Sequence, residues 1–174
     1  MAPTKQAPTR QAITLKGSTE LVTEFFKYAA NTILFQRGVY PADDFHMVKK
    51  YGQTVLVTQD LALENYLDKI LKQVNQASEG SQPAPAKPEA EIQAEIRAIL
   101  KQIVSTVTFL PVIDEPTVFN ILAYTSESAD IPANEWVDTD PLAIEASKSQ
   151  QVKLRSFSTD VHRIEAMVAY RYEG

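Results

Sequence analysis

Apolar positions recur at helical spacing in three stretches of this chain and alternate in several shorter ones. Leu21, Val22, Phe25, Phe26, Ala29, Ile33 and Leu34 return every three or four residues, which predicts a helix running to about Phe35. The stripe is wide, as in a helix covered on most sides. Ser18, after Gly17, reads as its N-cap, because a serine hydroxyl can accept from an early backbone N–H. Gly38 reads as its stop. Leu63, Tyr66, Leu67, Ile70 and Val74 repeat the spacing over Leu61–Val74, with Asp60 placed to cap. The clearest pattern is Glu89–Val107, where Ile92, Ile96, Ile99, Leu100, Ile103 and Val107 share a face. Glu89 and Glu91 there suit the positive end of the helix dipole.

Strand patterns are shorter. Thr54–Thr58 is rich in β-branched residues, and Thr117–Thr125 reads as a further strand. Near the end, Val152–Phe157 and Arg163–Tyr172 both alternate, with Ile164, Ala166, Val168 and Tyr170 on one face. Such a segment must lie against a sheet, because exposed apolar strands aggregate. Val39–Gly52 between the first helix and the first strand reads as a link, with a turn at Pro41 and Asp43 or Asp44 capping a short element. Met1–Ala12 is polar, holds two prolines and predicts a disordered lead. Gln76–Pro88, with three prolines and no large apolar residue, predicts a flexible linker centred on 77–88. The order α, β, α, linker, α, β, β, β is an α+β pattern within a single domain spanning 13–174. It is short of strands for three sizeable helices.

Composition narrows the chemistry. A chain of 174 residues suffices for one core. A net charge of −5, with scattered Lys and Arg, argues against nucleic acid as the main partner. The absence of cysteine excludes disulfides and thiolate metal sites and fits a reducing compartment. No apolar run is long enough to span a bilayer, so the expectation is a soluble intracellular protein with no membrane partner. The five glycines form no phosphate-cradling loop. His46 and His162 lack partners at metal-ligand spacing, and no nucleophile elbow surrounds Ser156 or Ser158. The carboxylate pairs Asp43–Asp44 and Asp138–Asp140 sit in turn-like stretches that explain them by capping. The reading is therefore of a non-enzyme with no catalytic residue, no cofactor and no metal. Binding has more support. Val118, Phe119, Asn120, Ile121, Leu122, Ala123 and Tyr124 form an apolar strand pattern that fits a central position or an edge open to an added peptide strand. After it, Ser126–Gln151 is long and polar. A long loop followed by two portable strands could act as a latch.

Particular strings add to this reading. ILFQRGVYP (33–41), TVTFLP (106–111) and RSFST-x-x-H (155–162) stand in order within a longer likeness over Ile13–Val74 and Ala90–Tyr170. In them the chain resembles the HORMA-domain spindle checkpoint proteins. The resemblance implies a HORMA domain: three helices packed on a mainly antiparallel sheet, closed by a C-terminal safety belt, here 126–174. It implies an adaptor that captures a closure motif of the anaphase-promoting-complex activator or of the kinetochore coiled-coil checkpoint receptor, delaying anaphase. Nucleus, kinetochore and cytoplasm are the implied locations. Val118–Tyr124 would be the peptide-binding edge strand, and Trp136, Leu154, Phe157, His162 and Tyr170 belt residues. Self-association between open and closed forms would use Lys101, Gln102, Phe109 and Arg155, with Lys101 standing where the family usually has arginine. Leu15 and Ile164 match positions that pack differently in the two forms. One departure is large: a two-strand hairpin of the central sheet, which the family carries after its second helix, is absent beyond Lys72–Gln76. Part of the sheet would be missing, and the locked complex weakened. Two other readings stay open: another HORMA adaptor, such as a translesion polymerase accessory subunit, and an unrelated small enzyme.

Overall fold

The computed structural model describes residues 15–77, 87–124, 134, 136–140, 142–159 and 161–171. The predicted lead over 1–12 and most of the predicted linker lie outside these residues, as does the first part of the belt segment.

Helix α1, Leu15–Gln36, is the spine of the molecule. It begins before Ser18, so the predicted cap is corrected: Ser18 sits in the first turn, fully buried, with its hydroxyl turned to Thr159 and His162. The stop at Gly38 is a Schellman closure. Val39 N–H donates to the Leu34 carbonyl (3.1 Å) and Gly38 N–H to that of Phe35 (3.1 Å). Gly38 holds φ +64°, which glycine adopts without a Cβ penalty.

A short 3-10 turn, Ala42–Asp44, leads into β1, Phe45–Lys50, which pairs antiparallel with β2, Gln53–Thr58. The sequence reading placed a link where β1 lies. Tyr51 (φ 51°) and Gly52 (φ 68°) form a two-residue turn with both central residues left-handed, the type that matches strand twist. Asp60 caps α2, Leu61–Ala77, by accepting from Leu63 N–H at 2.8 Å. Helix α3, Glu89–Ser105, buries Ile92, Ile96, Ile99, Leu100 and Ile103 and ends in a 3-10 turn, Thr106–Thr108. After a third such turn, Ala146–Lys148, β3 (Ser149–Ser158) and β4 (Arg163–Arg171) form an antiparallel hairpin with a register irregularity between Lys153 and Ser156.

The described strands thus make two separate two-stranded sheets, β1–β2 and β3–β4. The strand predicted over Thr117–Thr125 is not formed: its described residues, Thr117–Tyr124, run without helix or ladder. A strand needs a neighbour to take its N–H and C=O groups, and none lies beside it among the described residues. Instead Phe119 lies half-buried between Tyr40 (centroids 6.3 Å) and Tyr66 (5.8 Å). The α+β, largely antiparallel fold class stands, with part of the sheet missing.

Two apolar clusters hold these pieces. The larger joins Val22, Phe25 and Ala29 of α1 to the isoleucines of α3 and to Leu154 and Phe157 of β3. The smaller joins Leu34, Phe45, Leu63 and Leu67. α1 contributes to both clusters and packs on α3, which carries β3, so the two sheets are tied through these two helices.

Candidate functional site

The β3–β4 hairpin is clasped at three places. At its turn, the Thr159 hydroxyl accepts from Val161 N–H (3.2 Å) and His162 N–H (2.8 Å), while Thr159 N–H donates to the His162 carbonyl (2.8 Å). The Ser18 hydroxyl lies 2.5 Å from that of Thr159 and 2.6 Å from His162 Nδ1. His162 Nε2 is buried without a hydrogen-bond partner among the described residues. Along β3, Phe157 meets Phe25 edge-on at 5.0 Å, and Glu95 of α3 accepts from Ser158 N–H (3.2 Å) while pairing with Lys87 (2.5 Å). Towards the far end, Gln102 Oε1 accepts from Arg155 N–H at 2.6 Å, and Tyr170 stacks at a tilt on Phe109 at 5.8 Å.

The residues expected at the self-association face are therefore brought together. Gln102 and Arg155 touch directly, Phe109 is exposed beside Tyr170, and Lys101 is exposed on the same helix. Leu154 and Phe157 are buried in the larger core, and Ile164 is half-buried against it. Tyr170 donates to Gln150 Oε1 at 2.6 Å. The backbone of Leu15 opens α1, but its side chain is outside the described ones.

Across from α1, β4 borders an apolar groove of about 870 Å³. One wall carries Phe26 and Ile33 of α1, which are 39% and 45% exposed, so a helix read from sequence as covered on most sides is open on this one. The opposite walls are Ile121–Tyr124, half-buried Trp136, and Arg163–Val168 of β4. Among the described residues, β4 is paired on one edge only. Val118 (85% exposed) and Tyr124 (73%) point away from any core, while Phe119 and Ile121 pack on the smaller cluster. Asn120 and Ala123 are exposed, Leu122 half-buried.

Most of the shifted groups lie away from the groove. Glu24 pairs with Lys50 and accepts from Tyr51 OH at 2.5 Å. Its hydrogen bond holds the Lys50 ammonium pKa above the ordinary lysine value. Burial, then Glu24, pushes the Tyr51 phenol well up, and the same two causes raise Tyr28. At the groove rim, the Arg163 guanidinium hydrogen bond, then Lys153, lowers the Glu165 carboxyl. Among the described residues no group of three His, Asp or Glu could hold a metal. What the arrangement offers is surface for a strand: an open ladder edge above an apolar floor. β1 and the Ser18 contacts were missed from sequence. A Tyr-Gly pair is a weak hairpin signal, and a hydroxyl 144 residues from its histidine partner leaves none.

Comparison with known proteins agrees with this geometry. The HORMA domain profile matches residues 18–82. "Mitotic spindle assembly checkpoint protein MAD2A" of Dictyostelium discoideum is 44% identical over 193 aligned positions, covering 91% of this chain and 93% of that one. That alignment is longer than the chain itself, so the relative carries internal residues that are missing here. A chain from the crystal structure of the Mitotic Checkpoint Complex superposes with a TM-score of 0.83 at 39% identity, covering 94% of this chain and 100% of that one. C. elegans HTP-2, solved bound to a HIM-3 closure motif, shares the fold at a TM-score of 0.59 and 10% identity, covering 90% of this chain and 91% of that one.

Proposed function

The chain belongs to the HORMA-domain family of MAD2 spindle assembly checkpoint proteins, and on that premise we propose that it works by strapping a partner's peptide against its sheet. It is a spindle checkpoint adaptor and not an enzyme, and its partners are components of the mitotic checkpoint complex. The finer reading is that the bound segment is a closure motif from the anaphase-promoting-complex activator or from the kinetochore coiled-coil receptor. Its role is mitotic and kinetochore-related, and the proposed locations are the nucleus and kinetochore, with a cytoplasmic pool.

One observation carries the peptide-capture reading: β4, paired with β3 alone among the described residues, and the unpaired segment Ile121–Tyr124 line the same apolar groove. A peptide entering as a strand gains ladder hydrogen bonds from the backbone and specificity from alternate side-chain pockets. Val118–Tyr124 is assigned as the second wall of that site, Trp136 and the β3–β4 hairpin as the belt, and Lys101, Gln102, Phe109 and Arg155 as the face for a second copy. Leu15 and Ile164 are assigned to the switch between forms.

The missing internal residues make this capture weak. A ligand stabilises a closed state only through contacts that state offers, and here Val118–Tyr124 has no ladder of its own. Fluorescence anisotropy with a labelled activator closure-motif peptide tests both points. Binding should be saturable, at least tenfold weaker than for the Dictyostelium relative and faster to dissociate, and Trp136→Ala should weaken it further. Absence of binding even at high peptide concentration would refute the capture reading. Affinity equal to the relative's would refute the claim that the missing sheet matters.

A further inference from the structure

We propose that the outer edge of β1 accepts an extended acidic segment of another protein, as a third strand of the β1–β2 sheet. The site is separate from the peptide-capture groove, none of whose lining residues belongs to β1 or β2. Register shows which backbone groups are open. Gln59 N–H donates to the Asp44 carbonyl at 2.6 Å, and at the other end Lys50 pairs with Gln53 across the two-residue turn. Hydrogen-bonded pairs alternate along an antiparallel ladder. His46, Val48 and Lys50 therefore direct their main chain at β2, while Phe45, Met47 and Lys49 direct theirs outward. Phe45 N–H is spent on the Ala42 carbonyl. The N–H and C=O groups of Met47 and Lys49 have no partner among the described residues. Elsewhere such groups are capped by side chains. Asn31 Oδ1 of α1 accepts from Thr58 N–H of β2 at 2.8 Å, and along β3 Gln102 accepts from Arg155 N–H (2.6 Å) and Glu95 from Ser158 N–H (3.2 Å). β1 is bare on its edge yet held at both ends, since Phe45 packs edge-on against Phe35 at 5.5 Å and Lys50 pairs with Glu24. An open row already fixed at strand geometry takes an added strand with little further ordering.

Side chains beside that row choose the guest. Met47, 76% exposed, and exposed Lys49 project from one face of the strand, two residues apart. Lys49 forms no ion pair among the described residues, whereas Lys50 is committed to Glu24. Cross-strand neighbours stabilise a sheet when they are opposite in charge or both apolar. The guest therefore carries an acidic side chain opposite Lys49 and, two residues away, a large apolar one opposite Met47. The chain's own segments outside the described residues lack this pair. Residues 1–14 hold no acidic residue and 78–86 no large apolar one, and 172–174 is too short for a strand. In 125–133, neither Glu127 nor Asp130 stands two residues from a large apolar side chain. A second copy of β1, laid antiparallel about Met47, would set Lys49 opposite Phe45 and leave the ammonium without a counter-charge.

The probe is a synthetic peptide of sequence TETITVT, acetylated and amidated and built of strand-forming residues. Laid antiparallel on β1, it sets its glutamate opposite Lys49 and its isoleucine opposite Met47. It is titrated into the full chain and followed by amide hydrogen exchange. In the free chain the amides of Met47 and Lys49 should exchange faster than those of His46, Val48 and Lys50. Saturable peptide binding should slow those two severalfold and leave Arg163–Arg171 unchanged. The peptide TKTITVT, with lysine in place of glutamate, should bind about fivefold more weakly, and Lys49→Glu should reverse that preference. Met47→Pro removes an N–H that points away from β2, a position where an edge strand tolerates proline, and should abolish binding with the β1–β2 ladder intact. If that variant loses the ladder, the charge reversal at exposed Lys49 decides. The proposal is overturned by Met47 and Lys49 amides already protected in the free chain, or by protection that rises with protein concentration alone, as a second copy would give. It is equally overturned by no saturable binding, by equal affinity for the two peptides, or by slowing confined to Arg163–Arg171.

Discussion

Ser18 shows how a local motif can be answered by a distant partner. A serine after glycine near a helix start fits a cap, yet the hydroxyl is spent on Thr159 and His162. Ser18→Ala leaves His162 Nδ1 without its partner while Thr159 keeps its bonds to Val161 and His162, which costs about 1–3 kcal/mol. Urea denaturation should show that loss, with faster amide exchange at Val161 and His162; an unchanged midpoint would mean that the contact contributes nothing. Tyr51 gives a pH test. Its folded pKa and that of Lys50 lie above their ordinary values of 10.0 and 10.5. Groups raised on folding stabilise fully below the unfolded value and lose that contribution as pH rises through the folded one. Stability should therefore fall above about pH 10, and Tyr51→Phe should shallow that fall in thermal melts taken from pH 8 to 11. A parallel pH profile for the variant would show that Tyr51 plays no part.

Among the elements, helices were the more legible. Period 3.6 is written in a dozen residues at a time, so α3 starts where expected, at Glu89, and α2 starts at its capping aspartate. Ile99 of α3 is 0% exposed. Burying such a side chain stabilises by roughly 1.5–3 kcal/mol, and an aspartate there would be buried without a partner, so Ile99→Asp should unfold the domain. Circular dichroism at 25 °C checks this; a retained native spectrum would place that face in solvent. Strands were harder to read. The pattern of Thr117–Thr125 is strand-like, but strand formation belongs to a pair of segments and the second segment is missing. β1 has the opposite history. Its residues FHMVKK alternate poorly, and it forms because Tyr51 and Gly52 turn the chain back onto TVLVT. Four strands were expected and four are present among the described residues, with one exchanged for another.

For the molecule as a whole, two-stranded sheets are marginal alone; β1–β2 packs on α1 and β3–β4 chiefly on α3. Phe157, 1% exposed against Phe25, is the chief link from the C-terminal hairpin to α1. Phe157→Ala should cost about 3–5 kcal/mol. In the unaltered chain, tryptophan fluorescence from Trp136 and far-ultraviolet circular dichroism should give coincident urea transitions; two separated transitions would show the hairpin melting on its own. The family and its adaptor role were legible from short strings in the sequence. The groove was not, because it is made of what several distant segments fail to cover rather than of any residue pattern.

The contact between Ser18 and His162 also sets an order of events during synthesis. The two residues are 144 positions apart, and a ribosome adding about 5–20 residues each second leaves several seconds between them. Throughout that interval the first turn of α1 has emerged but cannot bury Ser18, and Phe25 waits for Phe157. Contacts of such long sequence separation form late, because the intervening loop must close first. Helix α1 of the nascent chain therefore keeps part of its apolar face uncovered until Phe157 and His162 have been made, which makes it a segment on which a ribosome-associated chaperone would act.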